Sequence, residues 1–576
     1  MFNISVKNDN NDSPIFGLKT AFTIIMYIVM LLLAIYRVKI GFNVAIDYDA
    51  ALIPSYDSGF FLTGALGYRA LNNTSLALIK NKGYMFVLAL SHILKMTPTA
   101  MSALLYVITA IVVFILVNHL TKNKFISLLF YIFVLYHPIG FFQNLALQIY
   151  RNDVFFQFAM IFLASLFLLF YRIIKKETHI INFLIATFCG FSFAMSYLLT
   201  ETGVLQLLIL IFFTILFIVY IVIIIRENKK IKIIFCLLPL VFSSLLLFTY
   251  KYLNYRTFNV FVYNIRTEGS VGEFIGIVQS IESDSQNKHI WCSFDQLDKA
   301  YEASDSFKEN QELYEYLKNS DFGTEKDKGW FGDFLGWSIM LALEDLKITY
   351  KEAHEIFKKI NNDLKVAFKN GTLIKTKKIA LSKSLGHLDK EDLNTCFKIS
   401  KSVFESMVTF RFLDNYIYNF GKSTDKTNIF IEYYNIDNEK EFTDYKYFIK
   451  KLIPVYSVIS ILFLIVAFLV WGIILIINFI NIFKYKITIT LENIITNYNV
   501  YFVLSVGFFI ISILYIFSLS NFFIWFHEFD DSYTAAFNFA SLAYNYGSIF
   551  YSFIILSIIF MLSAIIALMP KIIKRV

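Results

Sequence analysis

The chain has 576 residues, of which 57% are hydrophobic and only 17% charged. That balance excludes a soluble globular protein and a disordered one, and points to an integral membrane protein. The net charge of +8 is not a nucleic-acid signature: residues outside 251–450 hold 24 Lys+Arg against 13 Asp+Glu, and the block itself holds 28 against 31.

Apolar runs long enough to cross a bilayer fall at about 20–37, 99–118, 125–143, 154–171, 180–198, 203–225, 232–250, 452–482, 498–520 and 548–570. The expected fold class is an all-α polytopic membrane protein of about ten transmembrane helices. No small-residue cleavage site follows the first run, which reads as a retained span. Tyr84–Leu94 is apolar but too short to cross, and suits an interfacial or re-entrant helix. Loop lysines and arginines divide 16 to 8 in favour of the side bearing both termini. The positive-inside rule then makes that side cytoplasmic.

Residues 1–250 thus form an N-terminal transmembrane module, 251–450 an extracytoplasmic soluble domain, and 451–576 the C-terminal transmembrane helices. The middle block contains none of the seven prolines and reads as mostly α. Tyr350–Phe368, for example, spaces Ala353, Ile356, Phe357, Ile360 and Leu364 along one helical face. Asn264–Ile281 is less regular and reads as strand or loop. Four cysteines are too few for a disulfide scaffold; Cys292 and Cys396 read as two solitary thiols.

The acids are unevenly placed. The block 251–450 holds 31 of the 44. Of the remaining 13, eight face outward: Asp47, Asp49, Asp57, Asp153, Glu201, Glu528, Asp530 and Asp531. Carboxylates at a membrane boundary are costly unless they have water, a partner or a task. The first outer loop carries Ile-Pro-Ser-Tyr-Asp-Ser-Gly at 53–59, with Tyr56 and Asp57, and then Lys80-Asn-Lys82-Gly-Tyr84. Asp57 suits a base for an incoming hydroxyl, and Lys80 and Lys82 at headgroup depth suit a phosphate. A solvated loop touching lipid headgroups is the bland alternative.

The second turn runs from His137-Pro to Tyr150-Arg-Asn-Asp153. Arg151 is a bidentate phosphate partner or one half of an ion pair with Asp153. His137 reads as a hydrogen-bonded helix-end residue rather than a ligand. The third turn, Thr200-Glu201-Thr202, isolates a carboxylate at the membrane edge. His527-Glu528-Phe529-Asp530-Asp531 offers oxygens for a divalent cation, though its spacing matches no metal motif and a solvated loop is the simpler reading.

In that order on alternating spans, Asp57, the Lys82-Gly-Tyr84 helix start, the His-Pro…Tyr-Arg-Asn run and the Thr-Glu turn resemble bacterial multi-pass glycosyltransferases of the GT-C class. These are relatives of the protein O-mannosyltransferases and aminoarabinose transferases. Trp330-Phe331 and the stretch after it look like an uncharacterised branch with a large loop before the final spans. The chain departs from that class in having Ser58 after the loop-one acid, no proline beside Tyr84 and no arginine beside Glu201.

The resemblance implies a sugar donor carried on polyprenyl phosphate and a glycan or protein acceptor at the outer face, in contact with membrane lipid and not nucleic acid. It gives Asp57 the catalytic carboxylate's role. Glu201 would position the acceptor or partner a divalent cation, and Arg151 with Lys80 or Lys82 would hold the phosphate. Asp153, Tyr56 and His137 would support them. The competing classes are a flippase for a lipid-linked glycan and a degenerate GT-C scaffold. A flippase would carry functional charges deep in the bilayer.

Overall fold

The computed structural model describes residues 14–43, 75–142, 150–175, 179–200, 203–225, 227–283, 290–320, 322–324, 328–380, 386–411, 413, 445–485, 498–524, 543–544 and 546–573. Tyr56, Asp57, Glu201 and the His527–Asp531 cluster lie outside these residues.

Ten helices among the described residues are long and apolar enough to cross a membrane, matching the ten apolar runs. The first seven are α1 (Pro14–Phe42), α3 (Pro98–Thr121), α4 (Lys124–Leu135, continued by a 3₁₀ turn at Pro138–Phe141), α5 (Phe155–Ile174), α6 (His179–Leu199), α7 (Gly203–Ile224) and α8 (Lys229–Phe258). Their ends carry recognisable signals. Thr97 caps α3 by accepting from the Ala100 amide, with Pro98 in the first turn, where its missing N–H costs nothing. Asn123 caps α4 in the same way, accepting from Phe125 and Ile126.

One span differs in kind from the rest. The window holding α5 is 94% buried, enclosed by α3, α6, α8 and the last span, whereas the windows of α1 and of the eighth span are only 17% buried. Leu31, Leu32, Leu208 and Phe212 point outward. Exposed leucines are expected where the solvent is hydrocarbon.

Between α1 and α3 lies α2 (Gly83–Ile93), whose eleven residues reach about 16 Å, half a bilayer core. It packs on α6. A Cβ at Gly83 would stand 2.6 Å from the Leu198 carbonyl oxygen, so the helix start lies against the end of α6 as only glycine allows.

The middle block is a helical layer with short strands. It comprises α9 (Gly269–Gln279), β1 (Ile290–Ser293), α10 (Phe294–Glu302), α11 (Asp305–Lys308), α12 (Gln311–Lys318), β2 (Gly323–Thr324), β3 (Gly329–Phe331), α13 (Phe334–Asp345), α14 (Tyr350–Lys369), β4 (Ile379–Ala380), β5 (His387–Leu388) and α15 (Lys390–Thr409). Strands β1, β3 and β2 form one antiparallel sheet in that order. Trp330 on β3 is fully buried and donates its indole N–H to Ser338 Oγ at 2.8 Å. On α14 the expected apolar stripe is the buried one: Ala353, Phe357, Ile360 and Leu364 are each 0% exposed.

The irregular reading of 264–281 is corrected, since α9 is a regular helix. Gly272, Gly276 and a run of β-branched residues weaken its intrinsic helical signal. Packing of Phe274 on Phe357 of α14, ring centroids 4.8 Å apart, overrides it. All four cysteines are buried and unbridged.

The block docks on the membrane module at defined points. The Leu78 amide donates to Tyr350 Oη at 3.0 Å, and the Leu78 carbonyl accepts from the Ile265 amide at 2.9 Å. The three last spans are α16 (Tyr445–Tyr485), α17 (Tyr498–Phe523) and α18 (Ile549–Ile573). Helix α15 packs on α17 and α16. Tyr551 at the start of α18 donates to the Met407 carbonyl at 2.9 Å, and Tyr544 to that of Ser406 at 2.7 Å.

Replacing Tyr350 by Phe leaves the Leu78 amide without its hydroxyl acceptor, a loss of about 1–3 kcal/mol. The expected outcome is a lower apparent Tm for the detergent-solubilised protein. An unchanged Tm would mean that this contact does not hold the block in place.

Candidate functional site

Helix α5 begins in a 3₁₀ turn, Arg151–Asp153, and all three of its residues are buried. At three residues per turn, Arg151 and Asp153 point in different directions. Asp153 Oδ1 accepts from Ser102 Oγ at 3.1 Å, and Ser102 in turn accepts from Gln157 Nε2 at 3.2 Å. Asp153 therefore makes no ion pair with Arg151, which corrects the expectation that it orients that residue. The cation that acts on Asp153 electrostatically is Arg37.

Arg37 was not among the residues singled out in the sequence. It is 1% exposed, donates Nη2 to the Gly140 carbonyl at 2.9 Å and lies 4.0 Å above the Phe141 ring. Its Nε and Nη1 find no hydrogen-bond partner among the described residues. The sequence signal is an arginine in the last two turns of a largely apolar helix, two residues before Lys39.

Arg151 and Lys80 converge on Tyr150. The Arg151 guanidinium lies 5.9 Å from the centre of that ring, and Lys80 Nζ lies 5.8 Å from it. Lys80 Nζ is also 5.5 Å from the Trp337 ring on α13. The Tyr150 hydroxyl meets that of Tyr546 at 3.2 Å. Five residues from four distant parts of the chain thus share one locus: Lys80, the consecutive Tyr150 and Arg151, Trp337 and Tyr546. Both cations are buried. Aromatic faces favour a cation electrostatically and exclude water around it.

Lys82 stands apart from this group. It is 1% exposed, its Nζ lies 3.4 Å from Asn254 Oδ1 and 4.4 Å from the Phe258 ring centre, and burial lowers its pKa to about 7. Of the two lysines, Lys80 is the one that shares an aromatic neighbour with Arg151. Between the two, Asn81 accepts from Asn264 Nδ2 at 2.9 Å and donates to the Tyr197 carbonyl at 3.4 Å.

The end of α6 comes close to this segment. Gly83 lies against Leu198, and Thr200 is buried just beyond. Tyr197 and Leu198, which precede the third turn, therefore adjoin the Lys80–Gly83 segment. His137 occupies the helix-end position expected of it. Its Nδ1 accepts from the Ile139 amide at 3.4 Å, and its ring is enclosed by Phe133, Phe156, Phe410, Tyr456 and Tyr551. No group of three or more His, Cys, Asp or Glu among the described residues is arranged to hold a metal ion.

No protein-family model, curated protein or solved structure matches this chain. The class therefore rests on the fold itself: an all-α polytopic membrane protein. At one end of its bundle, side chains from the first two turns and the middle block assemble beside the end of α6.

The lowered pKa of Lys82 carries a pH signature. Folding moves it from 10.5 to about 7, so across that interval the unfolded chain binds more protons and stability rises with pH. Lys82→Met lacks this titration. Between pH 7 and 10, the apparent Tm of the wild type should gain steadily on that of the variant. Parallel curves would mean that Lys82 titrates like a solvated lysine.

Proposed function

We propose that this protein is an integral membrane glycosyltransferase that moves a sugar from a polyprenyl-phosphate donor to an acceptor at the extracytoplasmic face. The observation that carries the reading is the convergence of Lys80 and Arg151 on Tyr150 at one end of the helix bundle. Two buried cations beside one aromatic ring make a positively charged locus at the end of the bundle, and a lipid-borne phosphate is an anion that suits it.

In this mechanism the phosphate lies between Lys80 and Arg151, and the isoprenoid tail leaves sideways among the lipid-facing helices. Asp57 takes the proton from the acceptor hydroxyl as its oxygen attacks the anomeric carbon. The bond from that carbon to the phosphate oxygen breaks with inversion, and the released phosphate keeps the electron pair. The two cations stabilise the charge that develops there. Glu201 positions the acceptor. Arg37 ties α1 to the 3₁₀ turn after α4, and Asp153 ties the tip of α5 to α3. The lysine bias of the loops supports an extracytoplasmic location for this face.

The test is transfer of a radiolabelled sugar from polyprenyl phosphate. Arg151→Ala should lower kcat by about 10²–10³-fold, as removal of one oxyanion stabiliser does. Asp57→Asn should lower it by about 10²–10⁴-fold through loss of the base. Equal turnover by the wild type and Asp57→Asn removes the base assignment, and equal turnover by Arg151→Ala removes the phosphate site.

A further inference from the structure

The middle block carries a cleft of about 610 Å³ between α12 and α13, a size usual for small-ligand sites. Its α12 wall follows from helical spacing. Gln311, Glu315 and Asn319 recur every four residues along one stripe, and Glu312 and Tyr316 form the neighbouring stripe. Buried Ser320 closes one end. From α13 comes Leu341, on the same stripe as Trp337 one turn before it and Asp345 one turn after. The Tyr316 hydroxyl donates to the Asp345 carboxylate and ties the two helices together.

The cleft and the cation pair are therefore joined along one helix. Leu341 lines the cleft; about 6 Å further along the axis, Trp337 touches Lys80. The Trp337 ring is half-buried between the two regions.

The lining selects a ligand chemistry. Amides, carboxylates and hydroxyls set side by side offer alternating donors and acceptors, which suit vicinal hydroxyl groups. Tyr316 on the wall offers an aromatic ring for the C–H side of a sugar. Glu312 and Glu315 line the cleft, and no Lys or Arg does so among the described residues. Anionic ligands are repelled; neutral and amine-bearing ones are not. The two regions thus have opposite electrostatic preferences, phosphate at Lys80 and Arg151 and an uncharged or cationic chain in the cleft.

We propose that this cleft is the acceptor site, and that the acceptor is a neutral or amine-bearing oligosaccharide whose terminal hydroxyl is passed along Trp337 to the donor. The assignment rests on the transferase reading above and names its acceptor class.

The experiment uses labelled full-length protein in detergent on an array of neutral, amine-bearing and acidic oligosaccharides. Neutral or amine-bearing chains should bind, acidic chains should bind at least tenfold more weakly, and Glu315→Ala/Asn319→Ala should weaken binding at least tenfold. Both replaced side chains are exposed, and an unchanged apparent Tm verifies the variant's fold. Absence of glycan binding, a preference for acidic chains, or retained binding by the variant overturns the proposal, as does capture of a lysine-rich peptide in place of glycan. The two readings fail separately. Donor turnover that depends on Asp57, with glycan binding indifferent to the cleft variant, removes the acceptor site alone. Glycan binding that follows the cleft, without donor turnover, removes the transferase alone.

Discussion

A short stretch of backbone at the membrane boundary, residues 77–83, has to satisfy its amides and carbonyls where water is scarce, and the structure shows how many elements are recruited to do it. Leu78 bonds in both directions to the middle block, through Tyr350 and Ile265. Asn81 bridges Asn264 of that block and the end of α6. The Lys82 amide donates to Tyr250 Oη on α8 at 3.0 Å. An unmatched buried amide costs as much as several favourable contacts provide, so this segment fixes the block, α6 and α8 relative to one another. Lys80 inherits its position from that arrangement.

The same economy explains which charges lie together. Arg37 and Asp153 come from the ends of two different spans, α1 and α5, and neither is exposed. Their hydrogen bonds run to a carbonyl and a hydroxyl, not to each other. Each is held by a protein dipole and not by a direct contact with the other. Arg151 and Lys80 use aromatic faces for part of that task.

The membrane architecture was largely legible because lipid imposes a single requirement on every crossing segment: apolar length. All ten runs and the short Gly83–Ile93 helix were visible that way. The helical face of α14 was visible because water reads periodicity as sharply as lipid reads length. Helix α9 was hidden because its stability comes from Phe274 meeting Phe357, a tertiary contact that glycine-rich local sequence does not announce. At the site, Lys80, Arg151 and Asp153 stood out as charges beside apolar runs. Tyr150, Trp337 and Tyr546 did not, since aromatic residues are everywhere in this chain. The partners of Asp153 and Lys82 depend on side-chain direction, which spacing in sequence does not fix across separate elements.

Enclosure of α5 by its neighbours has a mechanical consequence. A helix that touches lipid must tilt or shift when bilayer thickness changes, because its apolar length has to match the hydrocarbon around it. Sheathed in protein along its length, α5 has no such duty, and α1, α7 and α16 absorb the mismatch at the periphery. The 3₁₀ turn at its tip keeps its height relative to the bundle as membranes thin or thicken. Chemistry placed there is insulated from the composition of the surrounding lipid.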